Sequence, residues 1–212
     1  LARVSPGRFI AFEGGEGTGK TTQVALLIKH LEEAGEAVMA LREPGGTPLG
    51  DYLRVWLKAE DQPLTPEAEL LLFADARAEL VRTVIEPALA SGTHVVLDRY
   101  LDSTTVYQGY GRGLPMAQVR AANNVASGGL TPQVTFLLDG PLEVTLARTE
   151  DREDAGGRRF EDEAIAFHGR VRAGFQRLAK RNPDRWFTIN AAMNVDVVHE
   201  TIWKRVQGLL TA

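Results

Sequence analysis

The sequence predicts an α/β fold, a five-stranded and mainly parallel sheet with helices on both faces. Two observations carry this. Short apolar runs alternate with longer segments of helical periodicity along the chain, the pattern of a parallel sheet covered by helices. Three of those runs end in the turns FEGG, REPGG and LDRY, at the carboxyl ends of strands, where open sheets of this kind hold ligands.

Each element can be justified in order. RFIAFE (Arg8 to Glu13) reads as a buried strand, and the glycine loop after it opens a helix from about Gly19 to Ala34, stopped by Gly35. AVMAL (Ala37 to Leu41) is the second strand, REPGG is a turn by composition, and a helix follows from about Leu49 to Ala59. Thr65 caps the next helix, with Pro66 at its first position and Glu67 in its first turn, and apolar residues carry it to about Leu89. THVVLDRY, QVTFLLDG and RWFTIN are the remaining strands. Helices near Pro115 to Ser127, Pro141 to Glu150, Glu161 to Arg181 and Val195 to Leu210 fill the gaps. TEDREDAGGRR, residues 149–159, is polar enough to be a mobile loop.

Composition narrows the class. With 212 residues, 44% hydrophobic and 25% charged, the chain can bury one core, so residues 1–212 are expected to form a single domain. A net charge of −4 provides no basic field for a nucleic acid polymer or an anionic membrane, so any anion must be bound locally. The absence of cysteine excludes disulfides and thiolate metal sites and fits a reducing cytoplasm. No apolar run approaches the ~18 residues of a membrane helix, so a soluble, cytoplasmic protein is expected.

The chemistry begins at FEGGEGTGKTTQ. Gly14, four residues, then Gly19, Lys20 and Thr21 match the P-loop spacing in the required context of strand, turn and helix. Glycines let backbone amides turn inward around a phosphate, and the helix N-terminus adds its partial positive charge. Gly14, Gly15, Glu16, Gly17, Thr18, Gly19, Lys20, Thr21 and Thr22 form the expected ATP-phosphate loop, with Lys20 reaching the β- and γ-phosphates and Thr21 offering its hydroxyl to Mg²⁺. Asp98 ends an apolar strand, placed to hold the hydration shell of the metal, and Arg99 projects beside it toward the phosphates.

These residues together resemble the thymidylate kinase family. The likeness runs through FEGGEGTGKTTQ, REPGGTPLGDYLR, LLLFADARAEL, LDRYLDSTTVYQGYGRG, the arginine-rich loop near Arg158 and INA at Ile189 to Ala191. It implies the P-loop nucleoside monophosphate kinase fold, transfer of the ATP γ-phosphoryl group to dTMP with Mg²⁺, a homodimer, and a lid at about residues 149–160. Phe73 and Arg77 stand four apart on a predicted helix and so share a face. On spacing alone, Phe73 reads as core packing and Arg77 as a solvated face. The resemblance instead has Phe73 stack on thymine and Arg77 bond its O4 edge, with Ser103, Thr104 and Gln108 in the same substrate site and Tyr107 crowding the sugar 2′ position. It assigns Arg54 and Arg99 to the acceptor phosphate, Glu16 to the sugar 3′-hydroxyl, and Glu43 to the neighbourhood of that phosphate and metal, where a loop ion pair is the alternative.

Some thymidylate kinases carry an arginine in the P-loop just after the acidic position, and here that position is Gly17. The resemblance therefore shifts the catalytic charge to the lid, where Arg152, Arg158 and Arg159 lie. The sequence does not choose between Arg158 and Arg159. A kinase for another small phosphate acceptor is the nearest alternative. A GTPase switch is disfavoured by the absence of an Asn-Lys-x-Asp segment, and the DxxG match at Asp154 to Gly157 falls in the polar loop rather than at a strand end. Intact Lys20, Thr21, Asp98 and Arg99 argue against an inactive nucleotide-binding regulator.

Overall fold

The computed structural model describes residues 6–59, 64–150, 160 and 163–211. Five strands, β1 (Phe9–Glu13), β2 (Val38–Arg42), β3 (His94–Asp98), β4 (Val134–Asp139) and β5 (Trp186–Asn190), form one sheet in the order β2-β3-β1-β4-β5. Every pairing is parallel, so the expected mainly parallel sheet is wholly parallel among the described residues.

Strand β1 shows why the sheet takes helices on both faces. Its side chains alternate, as strand geometry requires. Phe9 and Ala11 pack with Leu80, Ile85 and Tyr100, while Ile10 and Phe12 pack on the opposite side with Leu27, Leu31 and Ile202. The second set comes from α1 (Lys20–Glu33) and α9 (Val195–Leu210). In register, Phe12 pairs Asp98 on one side and Phe136 on the other, and Arg42 pairs Asp98, so the loops after β1, β2 and β3 leave the sheet at one level.

Beyond β2, α2 (Pro48–Lys58) and α3 (Pro66–Leu80) both start as their sequences dictate. Thr47 and Thr65 each accept a backbone N–H three residues ahead, at 2.9 and 3.3 Å, and each is followed by proline. The helix expected to run to Leu89 does continue, but through a π-helical turn (Val81–Ile85) into α4 (Glu86–Ala90). Pro87 explains the widening, because proline has no N–H and its ring crowds the carbonyl four residues back.

After β3 the chain enters α5 (Leu101–Thr104) and a second π-helical stretch (Thr105–Gly111), a helix the sequence reading did not anticipate. Helices α6 (Met116–Ser127), α7 (Leu142–Glu150) and α8 (Ile165–Arg181) follow. Helix α8 begins four residues later than expected, and the anticipated start at Glu161 lies outside the described residues. No helix among the described residues is long and apolar enough to cross a membrane.

Candidate active site

The loop after β1 turns by means of glycine. Gly14 has φ 145°, and a Cβ there would stand 2.4 Å from the Leu138 carbonyl oxygen; at Gly17, with φ 67°, it would stand 1.7 Å from that of Thr145. Lys20 Nζ donates to the Gly14 and Gly15 carbonyls at 3.1 and 2.7 Å, so its ammonium lies inside the loop's curve. Burial, and then Arg99, lower the Lys20 pKa to about 8, against the pull of Glu16 and Asp98.

Thr21 Oγ1 donates to Asp98 Oδ2 at 2.7 Å, and Asp98 Oδ1 is buried with no protein partner among the described residues. A hydroxyl beside a carboxylate with an unclaimed oxygen is a donor set of the hard, oxygen-only kind that suits Mg²⁺. These two residues therefore fit the ion.

Arg99 has a left-handed backbone, φ 70°, a conformation that non-glycine residues adopt mainly where surroundings enforce it. Glu13 supplies the enforcement from the end of β1. Its Oε1 accepts the backbone N–H of Tyr100 and Ser103 at 2.9 and 3.1 Å, and its Oε2 accepts the Ser103 hydroxyl at 2.6 Å. Burial, reinforced by Asp102, raises the Glu13 pKa to about 7.

The Arg99 guanidinium donates to the Gly14 carbonyl, to Ser103 Oγ and, at 2.6 Å, to Glu16 Oε1. Tyr107 donates its hydroxyl to the same Glu16 oxygen at 2.7 Å. Burial alone would raise the Glu16 carboxyl, but Arg99, Lys20 and Tyr107 outweigh it and hold the pKa at about 2.

Arg77, 1% exposed, is fixed by four hydrogen bonds to three residues. Its Nε and Nη2 meet Glu43 Oε2 at 2.8 and 2.6 Å, Nη2 also reaches Thr104 Oγ1 at 2.9 Å, and Nη1 reaches Asn123 Oδ1 at 2.9 Å. Glu43 thus pairs with Arg77 rather than with Arg42, Thr21 or Asp98. Its other oxygen, Oε1, is buried without a partner among the described residues, and burial raises its pKa.

A cavity of about 620 Å³, within the usual range for small-molecule sites, joins these parts. Glu16 to Thr21 line one end. Arg54, Asp98, Arg99 and Ser103 line it together with Glu43, and Phe73, Arg77, Thr104, Tyr107 and Gln108 are in the same wall. Arg54 is held there by a bond from Nη1 to the Pro44 carbonyl at 3.2 Å. Of the residues expected from sequence, Gly14 and Gly15 contribute carbonyls to Lys20 but not lining, and Thr22 is an exposed residue of α1 outside the lining. Arg152, Arg158 and Arg159 lie outside the described residues.

The sequence reading missed Glu13, Glu69, Asn123 and Phe160. Phe160 lines the cavity, its ring 6.0 Å from that of Phe73 and 5.9 Å from that of Tyr107. Glu13 left a visible signal, a carboxylate directly after four apolar strand residues.

A P-loop beside a strand-end aspartate, sharing one cavity with a wall of arginines, aromatics and a glutamine amide, defines a P-loop kinase with a small acceptor. The thymidylate kinase sequence profile matches residues 12–202. A thymidylate kinase of Thermomicrobium roseum is 50% identical over 202 residues, covering 95% of each chain, and one of Geotalea uraniireducens is 47% identical over 209 residues, covering 96% of this chain and 98% of that one. The crystal structure of thymidylate kinase from Ehrlichia chaffeensis superposes with a TM-score of 0.77 at 35% identity, covering 95% of this chain and 99% of that one. The chain belongs to the thymidylate kinase family.

Proposed function

We propose that this chain transfers the γ-phosphoryl group of ATP to dTMP, giving dTDP and ADP, as one kinase domain. The observation that carries this is the single cavity in which the P-loop cations and the Phe73, Arg77, Thr104 and Gln108 wall face one another. Lys20 and the loop amides bind the ATP phosphates, and Arg54 and Arg99 hold the acceptor phosphate, offsetting the repulsion of two anions. An acceptor phosphate oxygen forms a bond to the γ-phosphorus while the bond from that phosphorus to the β-bridging oxygen breaks. The acceptor is already a dianion at neutral pH, so no side chain has to remove a proton. Thr21 and Asp98 would hold Mg²⁺, which supplies charge neutralisation at the β- and γ-phosphates.

Phe73 stacks on the base, Arg77 donates to its O4 edge, and Thr104 and Gln108 complete the contact. Tyr107, oriented by Glu16, crowds the sugar 2′ position. The assembly is a homodimer. Supporting this, α2, α3 and α6 pack in series and expose Tyr52, Val55, Leu71 and Val125, an apolar set that a second copy would cover.

An ADP-release assay over a panel of monophosphates tests the activity. With ATP and Mg²⁺, dTMP should be the preferred acceptor, with turnover of about 1 to 100 s⁻¹, and UMP and GMP should be poor. Equal rates with UMP and dTMP would remove the role given to Tyr107.

A further inference from the structure

Gln108 is 1% exposed and forms part of the cavity wall, yet its side chain is committed elsewhere by half. Its Nε2 lies 2.8 Å from Oε1 of Glu69, a residue of α3 with no exposed surface and no place in the lining. Glu69 in turn carries Arg112, whose Nε and Nη2 donate to Oε1 and Oε2 at 3.1 and 3.2 Å. Arg112 is itself braced by Glu163 and by the Phe167 ring, 4.8 Å from its guanidinium carbon. A carboxylate paired with a guanidinium can only accept hydrogen bonds, whereas a glutamine amide can present either a donor or an acceptor. The group facing Glu69 must therefore be the NH₂ of Gln108. What remains for the cavity is Oε1, which accepts from no described residue and, unlike Glu43 Oε1, is not sealed from it.

Pyrimidine bases differ at this edge. Thymine and uracil present an acceptor, O4, beside a donor, N3–H; cytosine presents the reverse, an amino donor beside an acceptor N3. Arg77 can only donate, and its position is fixed by Glu43, Asn123 and Thr104. With Gln108 oriented as an acceptor, the wall offers donor then acceptor, the complement of thymine and uracil. A reversed amide would offer a donor to the N3 of cytosine at the same place.

We propose that Glu69 is a positioning residue that sets pyrimidine specificity: by binding the Gln108 amide nitrogen it leaves the carbonyl oxygen for N3–H and so excludes cytosine nucleotides. This rests on the dTMP kinase reading and deepens it. Glu69 has no place in the cavity lining and acts on the substrate through Gln108.

The test compares kcat/KM for dTMP, dUMP and dCMP in the parent enzyme and in Glu69→Gln. Glutamine at 69 can donate as well as accept, so Gln108 becomes free to reverse. The dTMP to dCMP ratio should fall about tenfold or more, the range that one well-made base contact commands, with dTMP falling, dCMP rising and the dTMP to dUMP ratio unchanged. On a Gln108→Ala background the same substitution should leave the dTMP to dCMP ratio where Gln108→Ala alone puts it. Equal losses for dTMP and dCMP, or a further change of the ratio on that background, overturn the proposal and make Glu69 a structural anchor. If Glu69→Gln does not fold, Glu69→Asp keeps the charge for Arg112, withdraws the carboxylate from Gln108 and is read by the same outcomes. A parent enzyme that fails to phosphorylate dTMP overturns the functional reading and this inference with it; dTMP turnover with an unchanged ratio in the variant overturns this inference alone.

Discussion

Arg77 on α3 and Glu43 after β2 form a buried ion pair, with two guanidinium nitrogens on one carboxylate oxygen at 2.8 and 2.6 Å and side chains 1% and 4% exposed. In the function proposed above the same arginine reads the acceptor base, which would add a recognition role to this structural one. Removing one partner of a buried pair typically costs about 3 to 5 kcal/mol, because a charge is left without its counter-ion.

Arg77→Ala should therefore lower stability in urea unfolding by about 3 kcal/mol and also depress kcat/KM for dTMP. The double variant Arg77→Ala with Glu43→Leu should regain part of the stability and none of the activity. Recovery of both would show that Arg77 anchors α3 without reading the base.

Lys20 should impose an upper pH limit on ATP use. Its pKa of about 8 in the free enzyme means that the ammonium loses its proton as pH rises through that value, and kcat/KM for ATP reports free-enzyme groups. That parameter should fall above about pH 8, while kcat at saturating ATP persists to higher pH because bound phosphates favour the charged form. Lys20→Arg should abolish the descent. A kcat/KM for ATP that stays level from about pH 7 to about pH 9.5 would contradict the lowered pKa.

The fold was legible because its strands are contiguous apolar runs and its helices carry local caps such as Thr65 and Pro66. The P-loop was legible for a similar reason, since its chemistry is written in adjacent residues. The acceptor pocket was not. Arg77 takes its meaning from Glu43, 34 residues away, and from Asn123, 46 away, while Gln108 takes its orientation from Glu69, 39 away. No periodicity encodes such partners, so Phe73 and Arg77 were readable only through family resemblance. The helix through Tyr107 and Gln108 was missed for a related reason. Its wide turns contain Thr105, Val106, Gly109 and Gly111, a composition with weak helical preference that only packing against α6 and α8 overrides.

Glu13 should make the protein less stable as pH rises toward neutrality. Its folded pKa of about 7 lies above the ordinary 4.5, so the folded chain holds an extra proton between those values. The contribution is fully present below about pH 4.5 and is lost as pH rises through about 7. Glu13→Gln keeps the acceptor for Tyr100 and Ser103 without the titration. Urea unfolding at about pH 5 and about pH 7.5 should show a smaller pH-dependent loss in the variant than in the parent. Parallel losses would place the titration elsewhere.

The source of catalytic charge turns on Gly17. A side chain there would begin 1.7 Å from the Thr145 carbonyl in α7, so this P-loop cannot take an arginine without displacing that helix. Gly17→Arg should therefore destabilise the protein, by about 1 to 3 kcal/mol or more as overpacking does, instead of raising turnover. We propose Arg158 or Arg159 as the source of that charge, each substituted by alanine lowering turnover about a hundredfold or more, within the reach of an arginine that stabilises a phosphoryl transition state. Affinity for dTMP and thermal stability should change little, and Arg152→Ala should have the smaller effect. Near-normal turnover of the double variant at saturating ATP would return the role to Arg99 and Lys20, the cations that the fold already holds beside the loop.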